Sequence, residues 1–343
     1  MFNGTLARRL LSISPLDDGS HTEDVQIDHF KRVLDLYNKA LHIVLIIVGN
    51  NCATNRAIVT KMCVPLVGCA NHRLNLAVQA FHRSCETELD QVNALMVQLR
   101  QPNNSAELAK FTDLRPIKRN AARWSSTREM VERYLRIRGD IRKVEVVEDL
   151  VLSASVHRKL AALVEDLRDF DSVFKKLQGE ATTMADTRLL FSSLLERYPE
   201  MDSHLDPVSS IIHPLTFENA VVKVANGVSL TSVDAKSVTR FVTNLPVVDE
   251  KRKKSRAPGF ATTVLLEGAV PRRAGRSFVV YDALLTKISP TSNACERLFL
   301  QTKLILTPQR GRLAYANFEV ITFSRANIDM WSASTLVEVA RAE

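Results

Sequence analysis

The hydrophobic positions in the first half of the chain alternate between helix-like and strand-like spacing. Apolar residues in Asp24–Ala40 recur at the spacing of one helix face. The run His42–Val48 is rich in β-branched residues and unbroken by polar ones after its first position, which is typical of a strand buried on both faces. A helix over Ala53–Met62, a short strand over Pro65–Val67 and a helix over His72–Cys85 are predicted next. This order of helices and strands predicts an α/β layer.

From about Ser126 to Leu195 the pattern becomes almost wholly helical. One segment carries apolar side chains at alternating steps of three and four residues: Leu160, Leu163, Leu167, Phe170, Phe174 and Leu177. This spacing fits either the seam of a coiled coil or the buried face of a packed helix, and the second is the commoner case. Another helix is predicted to end before Pro199.

The last third begins with a polar segment and ends with an apolar one. Asp249–Gly259 contains the basic cluster Lys251–Lys254 and is typical of an exposed linker, although such a cluster also fits a nuclear import signal. The block Tyr281–Trp331 is predicted to form two helices separated around Pro308 and Gly311.

Composition excludes several classes of protein. The chain has 343 residues, of which 45% are hydrophobic and 24% charged, so it is neither a mostly disordered nor a collagen-like chain. The net charge of +8 allows an acidic partner such as nucleic acid. No apolar run approaches the ~20 residues that span a bilayer, and no secretory signal is evident, so we expect no membrane partner. The 5 cysteines cannot all pair, which favours a reduced, intracellular setting.

Four short patterns combine residue types that can carry chemistry, and each alone is weakly specific. They are Val48–Asn55, Cys69–His72, Arg123–Thr127 and Pro290–Phe299. Further residues of the same pattern follow the fourth one, namely Arg312, Leu313, Asn317, Phe318, Ala326, Asn327 and Trp331.

Together and in this order, the four patterns resemble the hAT superfamily of cut-and-paste DNA transposases, over nearly the whole chain. The resemblance implies an α/β fold: an RNase H-like mixed sheet with flanking helices, interrupted by a mostly α-helical insertion. It divides the chain into residues 1–125, the first part of that core without its first strand, and residues 126–255, the insertion. Residues 256–343 would then be the hAT C-terminal dimerisation region that completes the core.

Active members of the family hold two Mg²⁺ ions about 4 Å apart on two Asp residues and a Glu. The resemblance places Glu296 at the Glu position and Asn50 at the second Asp, whereas the strand with the first Asp has no counterpart in this chain. An amide oxygen is a poorer Mg²⁺ ligand than a carboxylate. We therefore expect an N-terminally truncated, catalytically inactive protein derived from a transposable element, without a cofactor. As simpler alternatives, Glu296 fits a solvated helix start and Asn50 a turn.

Two further motifs have competing interpretations. Cys69 and His72 lack the spacing of a standard zinc site, which favours a packed thiol and a hydrogen-bonded imidazole without metal. Arg123 and Trp124 fit an anchor between the core and the insertion, with the indole buried. The alternative is a DNA-facing basic patch shared with three nearby candidates, Arg115, Lys118 and Arg119.

The C-terminal block of the family pairs subunits, so the resemblance also implies a partner. The apolar residues expected to contribute are Leu298, Phe299, Leu313, Phe318, Phe323 and Trp331. We expect a homo-oligomer, or a dimer with related transposase chains, located in the nucleus. The alternative hypothesis is DNA binding, or a working transposase or nuclease acting on double-stranded DNA, in which Asp17 or Asp18 supplies a missing acid.

Overall fold

The structure is a computed structural model that describes residues 7–14, 21–120, 124–243, 279–307, 312–332, 334, 335 and 338. Several of the predictions above lie outside these described residues: Asp17, Asp18, Arg123, the basic cluster Lys251–Lys254, Pro308 and Gly311. Helices make up 66% of the structure and strands 3%.

The prediction of an RNase H-like mixed sheet is wrong. Within the described ranges the only sheet is a parallel pair, β1 (Ile47–Gly49) and β2 (Leu66–Gly68), in which Ile47 lies opposite Leu66. Helix α2 (Ala53–Met62) connects these two strands.

The apolar run before β1 explains the error. Leu41–Ile43 forms a 3-10 turn, and only the end of the run pairs as a strand. The side chains of Leu45, Ile46 and Val48 pack against a cluster supplied mostly by helices. An apolar run indicates burial, but it does not specify whether the covering neighbours are strands or helices.

The other helices that the structure describes follow in chain order. They are α1 (Glu23–Asp35), α3 (Ala70–Phe81), α4 (Glu86–Gln98), α5 (Pro102–Leu108), α6 (Trp124–Ile141), α7 (Ala154–Leu177), α8 (Met184–Arg197), α9 (Asp202–Leu205), α10 (Leu215–Ala225), α11 (Ser232–Ser237), α12 (Ala283–Thr286), α13 (Asn293–Ile305) and α14 (Tyr315–Ala326). The predicted helix Asp24–Ala40 thus ends earlier, at Asp35, and the one predicted over His72–Cys85 becomes a 3-10 turn from His82. None of the described helices is long and apolar enough to cross a membrane.

The largest hydrophobic core lies among α3 to α8. Leu160, Leu167 and Phe170 of α7 are completely buried in it, so the packed-helix interpretation of that periodic pattern is confirmed. The Phe170 ring meets Phe81 of α3 edge to face, with 5.1 Å between ring centroids. This core includes residues on both sides of position 125, and the predicted domain boundaries stay predictions.

A buried ion cluster joins four of the helices. Arg73 of α3 is 3% exposed, and its Nη1 lies 3.3 Å from Glu218 Oε1 of α10. Arg188 of α8 approaches the same oxygen at 3.1 Å. Arg73 also donates to the backbone oxygens of His204 and Leu205 in α9. The guanidinium of Arg73 thereby holds α3 against α9 and α10 through charge-assisted hydrogen bonds.

Candidate functional site

All four sequence motifs contribute side chains to one cleft of about 520 Å³. Its walls carry polar groups from the strand ends and aromatic groups from the helical region. The residues that matter for its chemistry are Asn50, Asn71, His72, Trp124, Glu296 and Phe299. Residues separated by more than two hundred positions in the chain therefore meet at one place.

The parallel strands form one edge of the cleft. β1 ends at Gly49 and β2 at Gly68, and the carboxyl ends of parallel strands lie at the same sheet edge, so Asn50 and the start of α3 become neighbours. Asn55 Nδ2 donates to the backbone oxygen of Asn50 at 2.8 Å and fixes the turn after β1. A Cβ at Gly68 would overlap the Asn51 side chain, so a larger residue there would require Asn51 to shift.

The start of α13 is tied to the start of α3. The Ala70 amide donates to the Pro290 carbonyl oxygen at 2.9 Å, and the Ser292 amide donates to Cys69 Sγ at 3.4 Å. Cys69 is thus a buried structural thiol at the beginning of α3. These bonds bring the fourth motif against the second.

A pair of buried asparagines completes this junction and was missed by the sequence analysis. Asn71 Nδ2 donates to Asn293 Oδ1 at 2.8 Å, and Asn293 Nδ2 donates to the Leu177 carbonyl oxygen at 3.3 Å. Asn71 lies within the second motif and Asn293 within the fourth, but no local pattern shows that they face each other. Their pairing joins α3, α13 and the end of α7.

The protonation of His72 in the cleft is influenced by the charge of Glu296. Burial lowers the pKa of His72, and the negative charge of Glu296 opposes that decrease. Glu296 supplies the carboxylate of the lining and Lys303 supplies an ammonium group. The cleft therefore offers amides, an imidazole and one pair of opposite charges for polar contacts.

This donor set does not fit a pair of Mg²⁺ ions. Such a site needs several carboxylate oxygens, whereas Asn50 contributes a neutral amide beside the single carboxylate of Glu296. Within the part of the chain that the structure describes, no group of three or more His, Cys, Asp or Glu residues is arranged to hold a metal ion. The side chains of this cleft therefore do not support a two-metal reaction.

Trp124 closes the cleft beside the helical region. It begins α6, is 2% exposed, and meets the Phe174 ring of α7 edge to face with 5.6 Å between centroids. This placement agrees with the buried-anchor interpretation of Trp124. Arg123, the other half of that motif, lies outside the described residues.

The three nucleic-acid candidates lie outside the cleft lining. Arg119 Nη1 is 2.7 Å from Glu86 Oε1, so its charge is already balanced. Arg115 and Lys118 are exposed, and Arg115 donates to the Ser105 hydroxyl at 3.2 Å. Contact of these side chains with DNA stays a prediction.

The predicted dimerisation residues divide into two groups. Phe299 and Trp331 are exposed, whereas the others are partly buried: Leu298, Leu313, Phe318 and Phe323. The structure adds exposed apolar residues to this region that the sequence analysis did not single out as exposed: Leu300, Leu304, Val320, Ile328 and Met330. Local periodicity does not separate exposed from buried positions in α13 and α14, because both helices carry apolar residues on several faces.

Comparison with known proteins adds no family to this geometry. No protein-family model matches the chain, and no curated protein matches it.

Proposed function

We propose that this chain is a non-catalytic relative of hAT-type transposases that acts by protein association, forming a homodimer through α13 and α14. The observation that carries the proposal is the apolar surface of these two helices. Phe299, Leu300 and Leu304 project from α13, with Leu304 65% exposed. Val320 of α14, which packs against α13, is 62% exposed.

Surface of this composition favours a protein partner. Soluble proteins rarely leave a large contiguous apolar patch in water, and such patches mark interaction sites. The turn after α14 also exposes apolar side chains, because Ile328 and Met330 are more than half exposed. A second copy supplies the same residues, so a two-fold axis pairs apolar surface with apolar surface.

The absence of catalysis in this proposal is supported by the donor set of the cleft. Asn50 and Glu296 provide one carboxylate where two-metal chemistry requires several. Nuclear location, pairing with related transposase chains and binding of duplex DNA are further expectations of the motif resemblance. No contact among the described residues favours DNA binding over self-association.

A charge introduced into the apolar surface tests the proposal. Sedimentation velocity at micromolar concentration should give a dimer for the unmodified chain. Leu304→Glu should raise the dimer dissociation constant at least tenfold, about 1.4 kcal/mol, because the carboxylate would lose water at the interface.

Leu189→Glu is the matched control, because Leu189 is 68% exposed on α8 and Leu304 is 65% exposed on α13. The control should leave association unchanged. A monomeric unmodified chain, or an equal effect of the two substitutions, would contradict the proposed interface.

A further inference from the structure

Residues 7–14 lie against α14 as a strap without helix or strand structure. Asn327, at the end of α14, is 2% exposed and makes two hydrogen bonds with one residue of this strap. Its Oδ1 accepts from the Leu10 amide at 3.1 Å, and its Nδ2 donates to the Leu10 carbonyl oxygen at 2.9 Å. A buried amide side chain thus binds both backbone groups of a segment more than three hundred residues away.

Two tyrosines bind the backbone of the strap as well. Tyr315 Oη, at the start of α14, donates to the Ile13 carbonyl oxygen at 2.8 Å. Tyr37 Oη, which follows α1, donates to the Leu11 carbonyl oxygen at 2.7 Å. Together with Asn327 these residues form a groove, here called the strap groove, that recognises a peptide mainly through its backbone.

Side chains of the strap add selectivity at its two ends. Ser14 Oγ donates to Glu319 Oε1 at 2.9 Å. Arg9 pairs with Asp329 at 3.0 Å, and Arg8 pairs with Glu180 at 3.0 Å. Exposed ion pairs of this kind contribute little stability, so the buried bonds of Asn327 dominate the recognition.

We propose that the strap groove is a peptide-docking site and that its occupant in the dimer is residues 7–14 of a second copy. This inference rests on the proposed self-association. A second copy carries the identical strap, so every backbone contact is available in trans. The strap and α1 are separated by residues 15–22, a connection of eight residues that can span about 26 Å when extended.

The position of the groove also favours exchange between copies. Asn327 is followed directly by the exposed apolar residues Ile328 and Met330, so a partner that covers them lies beside the groove. Reciprocal exchange of identical segments forms a closed dimer with two-fold symmetry. The exchanged straps would add two buried Asn327 contacts to the apolar interface.

Complementation between two full-length variants tests exchange. Leu10→Pro removes the amide that donates to Asn327, and Asn327→Leu removes both side-chain bonds at similar volume. Each variant alone should dimerise at least tenfold more weakly than the unmodified chain. A mixture should form heterodimers more strongly than either variant forms homodimers, because one intact strap then meets one intact groove. Ala7→Pro is the control, since Ala7 is exposed and makes no described hydrogen bond in the strap groove, so association should stay unchanged.

The outcomes separate the two proposals. Unchanged dimerisation of both variants overturns strap exchange and leaves the apolar interface standing, whereas a monomeric unmodified chain overturns the self-association itself. Weakened variants without recovery on mixing show a strap that acts only within its own chain and also overturn exchange.

A second measurement does not depend on the folding of the variants. Unlabelled and isotope-labelled chains, both with a photoreactive leucine analogue at position 10, are mixed, incubated and then irradiated. Exchange predicts cross-links to α14 of mixed isotope composition, while cross-links confined to one isotope overturn it.

Discussion

Asn50 and Glu296 differ in the group that each presents to the cleft, an amide and a carboxylate. Both side chains line one cleft, as the motif resemblance implied, yet only one of them is a carboxylate. Replacing a carboxylate oxygen by an amide nitrogen removes a negative charge and leaves one neutral acceptor. The cleft therefore contains one carboxylate, that of Glu296, and a neutral amide, that of Asn50.

A nicking assay tests this conclusion at the residue scale. With Mg²⁺ or Mn²⁺ and supercoiled duplex DNA, the unmodified chain and Glu296→Gln should show the same background rate, because one carboxylate cannot hold two metal ions. Asn71→Ala, which alters the cleft without touching a carboxylate, serves as the control. A nicking rate that falls in Glu296→Gln but not in Asn71→Ala would contradict the proposal that the chain is not catalytic.

At the scale of elements, the contacts between helices depend on a few buried polar side chains. Glu218 of α10 compensates both Arg73 of α3 and Arg188 of α8, so one carboxylate connects three helices. Removing one partner of a buried ion group leaves the remaining charge without compensation, which is costlier than losing a surface pair.

Glu218→Gln should therefore lower the free energy of unfolding by about 3 kcal/mol. Glu165→Gln is the comparison, because Glu165 pairs with Arg168 at the surface with its side chain 68% exposed, and its loss should cost less than about 1 kcal/mol. Urea unfolding monitored by circular dichroism measures both. Equal losses for the two variants would show that the buried cluster is not what joins these helices.

The molecule as a whole carries several histidines that resist protonation when folded. Burial is the main cause of the lowered pKa at each of His72, His82, His157 and His204. At His82, which is 4% exposed, the charge of Arg119 lowers the pKa further. Only His72 lines the cleft, and the other three histidines lie elsewhere in the described chain, so most of this effect belongs to the fold.

Stability should fall on mild acidification. The unfolded histidines take up protons near their ordinary pKa of about 6.5, while the folded ones take them up only at lower pH. The free energy of unfolding should thus be highest above pH 6.5 and decrease as the pH falls towards the folded pKa values. Urea unfolding at pH 7.5 and 5.5 measures the difference. His82→Gln should reduce this dependence, and a stability that is flat or rises on acidification would refute the assignment.

The local hydrophobic pattern was sufficient to predict many of the helices. The steps of three and four from Leu160 to Leu177 identified α7 and its buried face, because a helix repeats its environment every few residues. The resemblance carried by the four motifs, rather than periodicity, selected Asn50, His72, Trp124 and Glu296, which the structure places in one cleft.

Only the tertiary structure decided which elements surround these residues. The run before β1 is covered mostly by helices and the sheet has two strands, although its composition favoured a larger sheet. The pairing of Asn71 with Asn293, and of Asn327 with Leu10, joins residues that are hundreds of positions apart. Hydrophobic periodicity reports the environment of a residue but not the identity of its distant neighbour, since many partners provide the same burial. The same limit applies to the exposed surface of α13 and α14, whose apolar residues could not be told from core residues until their packing was known.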